Sequence, residues 1–255
     1  MKEKVTSEMV RKWLGEFRRN VPSESISFED SVVRMESGML AMKNKGEEAV
    51  RFLDPAELGI DWKLSKAAKL LLSEAEGNTF VYVLDPGAKK AVRLDFVFEE
   101  GAFGIYSKDY ELEDELPEEF CASAIGENLL LVYAKKYVFR NEKDERFSAE
   151  MHLGKCTGCA ALDEDSMAVA GEDRFHVLLN GERAEIPLSE FTDKKIEKPQ
   201  FGLGKSKDYE WLVVKGEGWE DFCILVSVGE KQPLSYTKFE LNPLKGAEPL
   251  SEQRQ

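Results

Sequence analysis

Apolar positions in this chain fall mostly into short runs of four to seven residues, separated by Gly, Pro, Asn and Asp. That pattern marks short β-strands, half-buried where polar residues alternate and fully buried where they do not. It predicts strands at 31–35, 39–43, 79–84, 92–98, 129–134, 137–140, 166–170, 176–179, 210–214 and 222–228. Many of these pair as hairpins, because Asp85-Pro-Gly, Asn180-Gly and Lys215-Gly-Glu-Gly supply the fixed or positive φ that tight turns require. Two stretches follow the helical period instead. Val5, Met9, Trp13 and Phe17 lie four apart with Val10 and Leu14 beside them, which predicts a helix over 5–17 capped by Ser7 and stopped before Pro22. Leu64, Ala67, Ala68, Leu71, Leu72 and Ala75 share one side of a second predicted helix over 65–76, with Gly77-Asn78 as its stop. Asp54-Pro55 opens a short helical turn just upstream, so the helical insertion covers about 54–76.

One segment echoes another without a gap. Cys121-Ala-Ser-Ala-Ile-Gly-Glu-Asn-Leu-Leu-Leu-Val-Tyr aligns with Cys159-Ala-Ala-Leu-Asp-Glu-Asp-Ser-Met-Ala-Val-Ala-Gly, 38 residues later. Recurrence at this spacing signals a stacked or radial repeat, since one such unit cannot bury its apolar face alone. Met39, Phe80, Leu129, Met167 and Trp211 serve as marks of corresponding strands, at intervals of 41, 49, 38 and 44 residues. In the stretch 159–178 a small-residue strand, an acidic turn, an apolar strand and a second turn succeed one another, and this stretch resembles a WD-repeat-type β-propeller blade. The Gly-His and Trp-Asp dipeptides of that family do not occur where it would place them. The resemblance implies an antiparallel, toroidal or closely related β architecture, and no activity, because propellers host enzymes and scaffolds alike. A two-sheet sandwich or a pair of barrels would give the same strand pattern. The expected fold is therefore mainly β: an antiparallel repeat architecture, propeller-like or a related β-sandwich, with an N-terminal amphipathic helix and one inserted helix. The expected organisation is a helix in 1–22, a β-repeat domain in 23–241 and a flexible Pro-, Gly- and polar-rich tail in 242–255.

With 255 residues and 15 Phe the chain can fill a substantial core. Its 49 acids against 35 bases give a net charge of −14, a surface that repels phosphate backbones. This argues against direct nucleic-acid binding and for a basic protein partner. Residues 1–20 run the other way, with six Lys or Arg against three Glu, so the helix is expected to pack on its own acidic domain or on a partner. The first residues hold no apolar signal-like core and no run approaches the roughly 18 apolar residues of a membrane span, so the expected location is cytoplasmic, away from membranes. Four cysteines are too few for a disulfide scaffold.

Candidate chemistry is sparse. Cys156-Thr-Gly-Cys159 has the spacing of a zinc or redox pair, with His152 four residues before it, although free Cys at a strand position behaves as a small hydrophobe. A structural role is expected, and no metal or cofactor. Gly202-Leu-Gly204-Lys205-Ser206 ends like a phosphate-binding P-loop, but residues 207–214 read as a strand rather than the required helix, so a hairpin loop is expected. His152 and His176 are the only neutral-pH bases, and Gly-x-Ser-x-Gly and His-Glu-x-x-His motifs are absent. Asp163-Glu-Asp165 reads as a solvated turn. No catalytic residue is assigned. The partner-binding candidates are Asp109, Tyr110, Glu111, Leu112, Glu113, Asp114, Glu115, Leu116, Glu118 and Glu119, an acidic run whose interleaved apolar residues suit a basic, partly greasy surface. Trp219, in a hairpin with Trp211, Gly216 and Gly218, is a candidate exposed anchor. The leading expectation is a non-enzymatic acidic interaction module: an adaptor, regulator or inhibitor of a basic partner such as a nucleic-acid-binding, transcription or defence-system protein. The rivals are a hydrolase with paired carboxylates in a deep pocket and a zinc-stabilised module around the Cys-x-x-Cys.

Overall fold

The structure, a computed structural model, describes residues 4–16, 21–28, 31–75, 77–99, 102–111, 120–133, 136–140, 146–150, 155–229 and 232–242. They form one α-helix, α1 (Ser7–Glu16), and twenty strands in five four-stranded antiparallel sheets. The first sheet is β1 (Ser25–Phe28), β2 (Ser31–Glu36), β3 (Met39–Asn44) and β4 (Arg51–Leu53). The second is β5 (Lys69–Ala75), β6 (Asn78–Asp85), β7 (Lys90–Glu99) and β8 (Ala102–Glu111), and the third β9 (Cys121–Ile125), β10 (Asn128–Tyr133), β11 (Lys136–Arg140) and β12 (Arg146–Glu150). The fourth is β13 (Cys156–Ala161), β14 (Met167–Gly171), β15 (Arg174–Leu179) and β16 (Glu182–Pro187), and the fifth β17 (Gln200–Lys205), β18 (Tyr209–Lys215), β19 (Phe222–Gly229) and β20 (Gln232–Glu240). Within every sheet the spatial order is the chain order, so each is an up-and-down meander and the fold is a mainly β, propeller-like repeat. Turn chemistry sets the links: Leu179 pairs with Glu182 across Asn180 (φ 49°) and Gly181 (φ 76°), the two positive φ angles of a type I′ hairpin.

Contacts divide the chain into two compact units, Asn20–Ala149 and Met1–Arg19 with Glu150–Gln255. In the first, Val33 and Leu40 of the first sheet share a core with Leu70, Val81, Val83, Val92 and Leu94 of the second, while Leu71, Phe80, Tyr82 and Leu84 pack on Leu129 and Leu131 of the third. The second sheet is thus buried on both faces. Polar groups caught in these layers are paired, as burial requires. The Ser73 and Tyr82 hydroxyls each donate to the Gly126 carbonyl at 3.1 Å, and Arg93 binds Asp95 at 2.6 and 2.7 Å and Glu127 at 2.5 Å. Asp85, fully buried, accepts from the Ser65 hydroxyl and from the backbone N–H of Ser65 (2.8 Å) and Ala88 (3.2 Å).

In the other unit, Phe175, Val177, Leu179 and Ile186 of the fourth sheet pack on Leu212, Val214, Ile224 and Val226 of the fifth. The fifth sheet's second face is covered by α1. Val10 and Trp13 are buried there against Val213, Cys223 and Leu225, and Trp13 stacks on Trp211 with ring centroids 5.6 Å apart. The helix therefore packs on its own chain, and Arg11 fixes it by donating to the Leu241 carbonyl (3.1 Å) and Asn242 Oδ1 (2.7 Å). Its cap is Thr6 rather than the expected Ser7: the Thr6 hydroxyl accepts from Met9 N–H at 3.3 Å.

Three further expectations are corrected. The segment 65–76 is no helix. Ala67 and Ala68 belong to a turn closed by Ala68 N–H to the Ser65 carbonyl, and β5 comes next, with Leu70 facing one core and Leu71 the other. A short apolar run buried on both faces carries no period that separates strand from helix. Gly77 (φ 81°) serves the β5–β6 hairpin, in which Ala75 pairs with Asn78. Gly202–Ser206 is not a hairpin loop, since Gly202, Gly204 and Lys205 lie within β17. A Cβ on Gly202 would stand 2.7 Å from the Trp13 backbone, and one on Gly204 would overlap the Trp13 ring, so these glycines are the seat of α1. Among the repeat marks, Met39 falls on the third strand of its sheet, whereas Phe80, Leu129, Met167 and Trp211 fall on second strands. The gap-free echo spans the first hairpins of sheets three and four. It slips by one residue at the turn, because Cys121 opposes Val132 while Cys159 opposes Val169.

Candidate partner-docking surface

The acidic run begins on a strand, not in a loop. Asp109, Tyr110 and Glu111 are the last residues of β8, opposite Val92, Ala91 and Lys90 of β7, and Leu112 to Glu119 lie outside the described residues. Strand β8 is the outer strand of its sheet, and among the described residues it pairs on one side only, with β7. Ile105 packs toward the core, while Tyr106 is 59% exposed.

Residues 54–63 brace Lys90, the register partner of Glu111 in the β7–β8 pair. Asp54 accepts from Ala56 N–H at 2.9 Å and opens a single hydrogen-bonded turn, closed by Leu58 N–H to the Asp54 carbonyl. Gly59 (φ 72°) comes so close to Ser107 that a Cβ would overlap its hydroxyl, which seats the turn on β8. Asp61 then pairs with Lys90 at 2.7 Å, and the Lys90 ammonium lies 4.7 Å from the Trp62 ring centroid. The hydrogen bond and charge of Lys90 hold the Asp61 carboxyl below its ordinary range. Beside this brace is an open cleft of about 450 Å³ lined by Met39, Asp54, Pro55, Ile60, Asp61 and Trp62. Trp62 Nε1 is buried with no hydrogen-bond partner among the described residues. Met39, Val32 and Phe52 are exposed on the face of the first sheet turned away from its core. The cleft holds two acids, but Asp61 is kept ionised by Lys90, opposite to what a general acid needs.

The remaining candidates lie elsewhere. Trp219 is no exposed anchor: it is fully buried, stacked on Phe222 at 4.9 Å, with Gly216 beneath its indole. Apolar burial outweighs the exposure that its turn-rich neighbourhood suggests. Trp211 is likewise covered, by Trp13. Cys156 and Cys159 lie on β13, with a bulge between Cys156 and Gly158; Cys159 is buried and Cys156 half-buried, and neither is in a disulfide. His152 is outside the described residues, and among those described no three His, Cys, Asp or Glu side chains gather as a metal site. His176 is buried, its Nε2 3.4 Å from Glu185. Lys205 pairs with Asp163 and with Glu210 (3.1 Å). Burial pulls its ammonium down, yet the two carboxylates hold it above its ordinary range. Sequence reasoning missed Tyr106, Asp61, Trp62 and Lys90. The packing of 54–63 on the β7–β8 hairpin joins Asp61 and Trp62 to Lys90, while Tyr106 lies on the opposite face of β8, and no local pattern announces either.

The class these features define is a mainly β, five-sheet repeat protein with an acidic outer strand. No protein-family model matches the chain, and no curated protein matches it. Among solved structures it is similar to PorZ, an essential bacterial surface component of the type-IX secretion system of Porphyromonas gingivalis, at 9% identity and a TM-score of 0.26, covering 87% of this chain and 46% of PorZ. It is also similar to a prolyl endopeptidase at 11% identity and a TM-score of 0.34, covering 92% of this chain and 38% of the enzyme. The chain thus spans less than half the length of either, and likeness this distant carries neither chemistry nor partners across. Among the described residues no helix is long and apolar enough to cross a membrane.

Proposed function

We propose that this protein is a non-enzymatic interaction module that binds a basic protein partner, as an adaptor, regulator or inhibitor. The observation that carries this reading is the position of the acidic run: it starts at the end of an outer strand that also carries the exposed Tyr106, on a chain of net charge −14. A field of this sign attracts a basic surface and speeds its encounter. The version with most reach has the acidic surface occupy the nucleic-acid-binding face of a transcription or defence-system protein. The WD-type blade resemblance fits a scaffold of this kind, and the four unbridged cysteines suit a reducing cytoplasm. The test is affinity purification of the tagged chain at low salt from its native host, alongside a variant with the acids of 109–119 reversed to Lys. A stoichiometric basic protein, released by salt and lost from the variant, supports the reading. Unchanged binding and salt dependence in the variant would refute it.

A further inference from the structure

We propose that β8 is an edge for strand addition: an extended, basic segment of the partner pairs with its free side as a fifth strand of the second sheet. This rests on the interaction-module reading and supplies its mode of contact. Outer strands are a liability that folded proteins blunt by shortness, bulges, proline, lysine or cover, and the other outer strands described here carry such devices. β1 and β4 have four and three residues, and β9 and β12 have five each. β5 is bridged at Leu70 by Ser23, whose N–H and carbonyl bond it at 2.8 and 2.7 Å. β13 is bulged, β17 lies under α1, and β16 ends in Pro187. β20 contains Pro233 and Lys238, and its Leu234 N–H is taken by Glu182 at 2.8 Å.

β8 differs. It carries one lysine, Lys108, but has ten residues, more than any other outer strand, and no proline, and among the described residues nothing pairs with its outer side. Alternate N–H and C=O groups along an outer strand point outward and can be satisfied by an added strand, which is how main-chain recognition gains affinity without sequence-specific pockets. Tyr106, 59% exposed near the middle of β8, offers a cross-strand partner for an aliphatic or aromatic side chain. The net charge of −14 calls for Lys or Arg on the incoming segment. A second copy of the chain is the poorer occupant, because two bodies of charge −14 repel.

The probe is a fluorescein-labelled ten-residue peptide alternating Lys with Val, titrated into the full chain and followed by anisotropy, with hydrogen exchange on the complex. Binding should weaken steeply with salt, and amides in 102–111 should gain protection. N-methylation of one alternate set of peptide amides should weaken binding more than tenfold, and of the other set less than twofold, since only one set can face β8. Two N-methylated peptides that bind like the parent, or no new protection in 102–111, overturn strand addition while leaving charge reversal of 109–119 to decide the module reading. A peptide that fails to bind at low salt also overturns it. So does protection of 102–111 that rises with protein concentration alone, which would show a second copy on the edge.

Discussion

Alanine at Gly204 should destabilise the protein only while Trp13 is present. The Cβ it adds would overlap the Trp13 ring, reaching Cδ2 at 2.6 Å, whereas a Cβ on Gly202 would meet the backbone of α1 itself, Trp13 C at 2.7 Å and Leu14 N at 2.8 Å. Overpacking of this kind costs about 1–3 kcal/mol, and we take ~2 kcal/mol for each single variant. Trp13→Ala alone, which empties the space between α1 and Trp211, should cost about 3–5 kcal/mol. In the Trp13→Ala background the ring is gone, so Gly204→Ala should become neutral, or gain up to ~0.5 kcal/mol because alanine is the better strand residue. The coupling is then ~2 kcal/mol, well within the range seen for residues in contact. Gly202→Ala should keep its cost in that background within about 0.5 kcal/mol, because truncating a side chain does not move the helix backbone. The assay is urea unfolding followed by far-UV circular dichroism for the wild type, the three single variants and the two doubles. An equal penalty for Gly204→Ala in both backgrounds, or rescue of Gly202→Ala by Trp13→Ala, would refute this account of the α1 seat.

Polar groups in the first unit lead to two further outcomes. Asp85→Ala strands the N–H groups of Ser65 and Ala88 and should lower stability by about 2–4 kcal/mol, with Asp85→Asn, which keeps one acceptor oxygen, in between; thermal unfolding reads this, and a loss under ~0.5 kcal/mol would show that water replaces the carboxylate freely. Lys90 depresses the Asp61 pKa, so the stability their pair contributes is fully present above the unfolded value near 4 and is lost as pH falls through the lower, folded value. Asp61→Asn should therefore be less stable than the wild type at pH 7 and equal to it at pH 2, and a gap that persists at pH 2 would assign the effect to something other than ionisation.

The strands legible in the sequence are the second and third of every sheet: β2 and β3, β6 and β7, β10 and β11, β14 and β15, β18 and β19. Most of these are buried nearly throughout, as in Asn128–Tyr133 and Met167–Gly171, and so read as dense apolar runs. Within their sheets the first and fourth strands pair on one side only, and most hold their place with fewer apolar residues. β4 is exposed or half-buried throughout, and β20 alternates exposed and half-buried positions without one buried residue. β5, the outer strand with most leucine, was legible as apolar but not as β. The candidate surface shows the same limit. Its acidic composition stands out in sequence, yet the run's start on a strand does not, because Lys108-Asp-Tyr-Glu lacks the apolar density that marks inner strands. Trp219 misled because turn glycines suggest exposure, while the loop they build folds the indole inward.

Helix α1 and the outer face of the first sheet answer one physical problem in different ways. A sheet face that no other sheet of its own unit packs against must either turn polar or be covered. The first sheet takes a mixed course: Ser25, Ser27, Arg34 and Lys43 are exposed on the face away from its core beside the exposed Val32, Met39 and Phe52, and Arg34 is neutralised by Glu36 at 2.7 Å. The fifth sheet instead carries Trp211, Val213, Cys223 and Leu225 on the corresponding face, too apolar to leave in water, and burial there pushes the Cys223 thiol up to about 12. Its cover comes from the opposite end of the chain, with Arg11 bonding Leu241 across 230 residues of sequence. Closing a loop this long carries an entropy cost that the buried face must offset. The fifth sheet therefore gains its last buried face only when both ends of the chain are in place, and the glycines of β17 reserve the space for that closing contact.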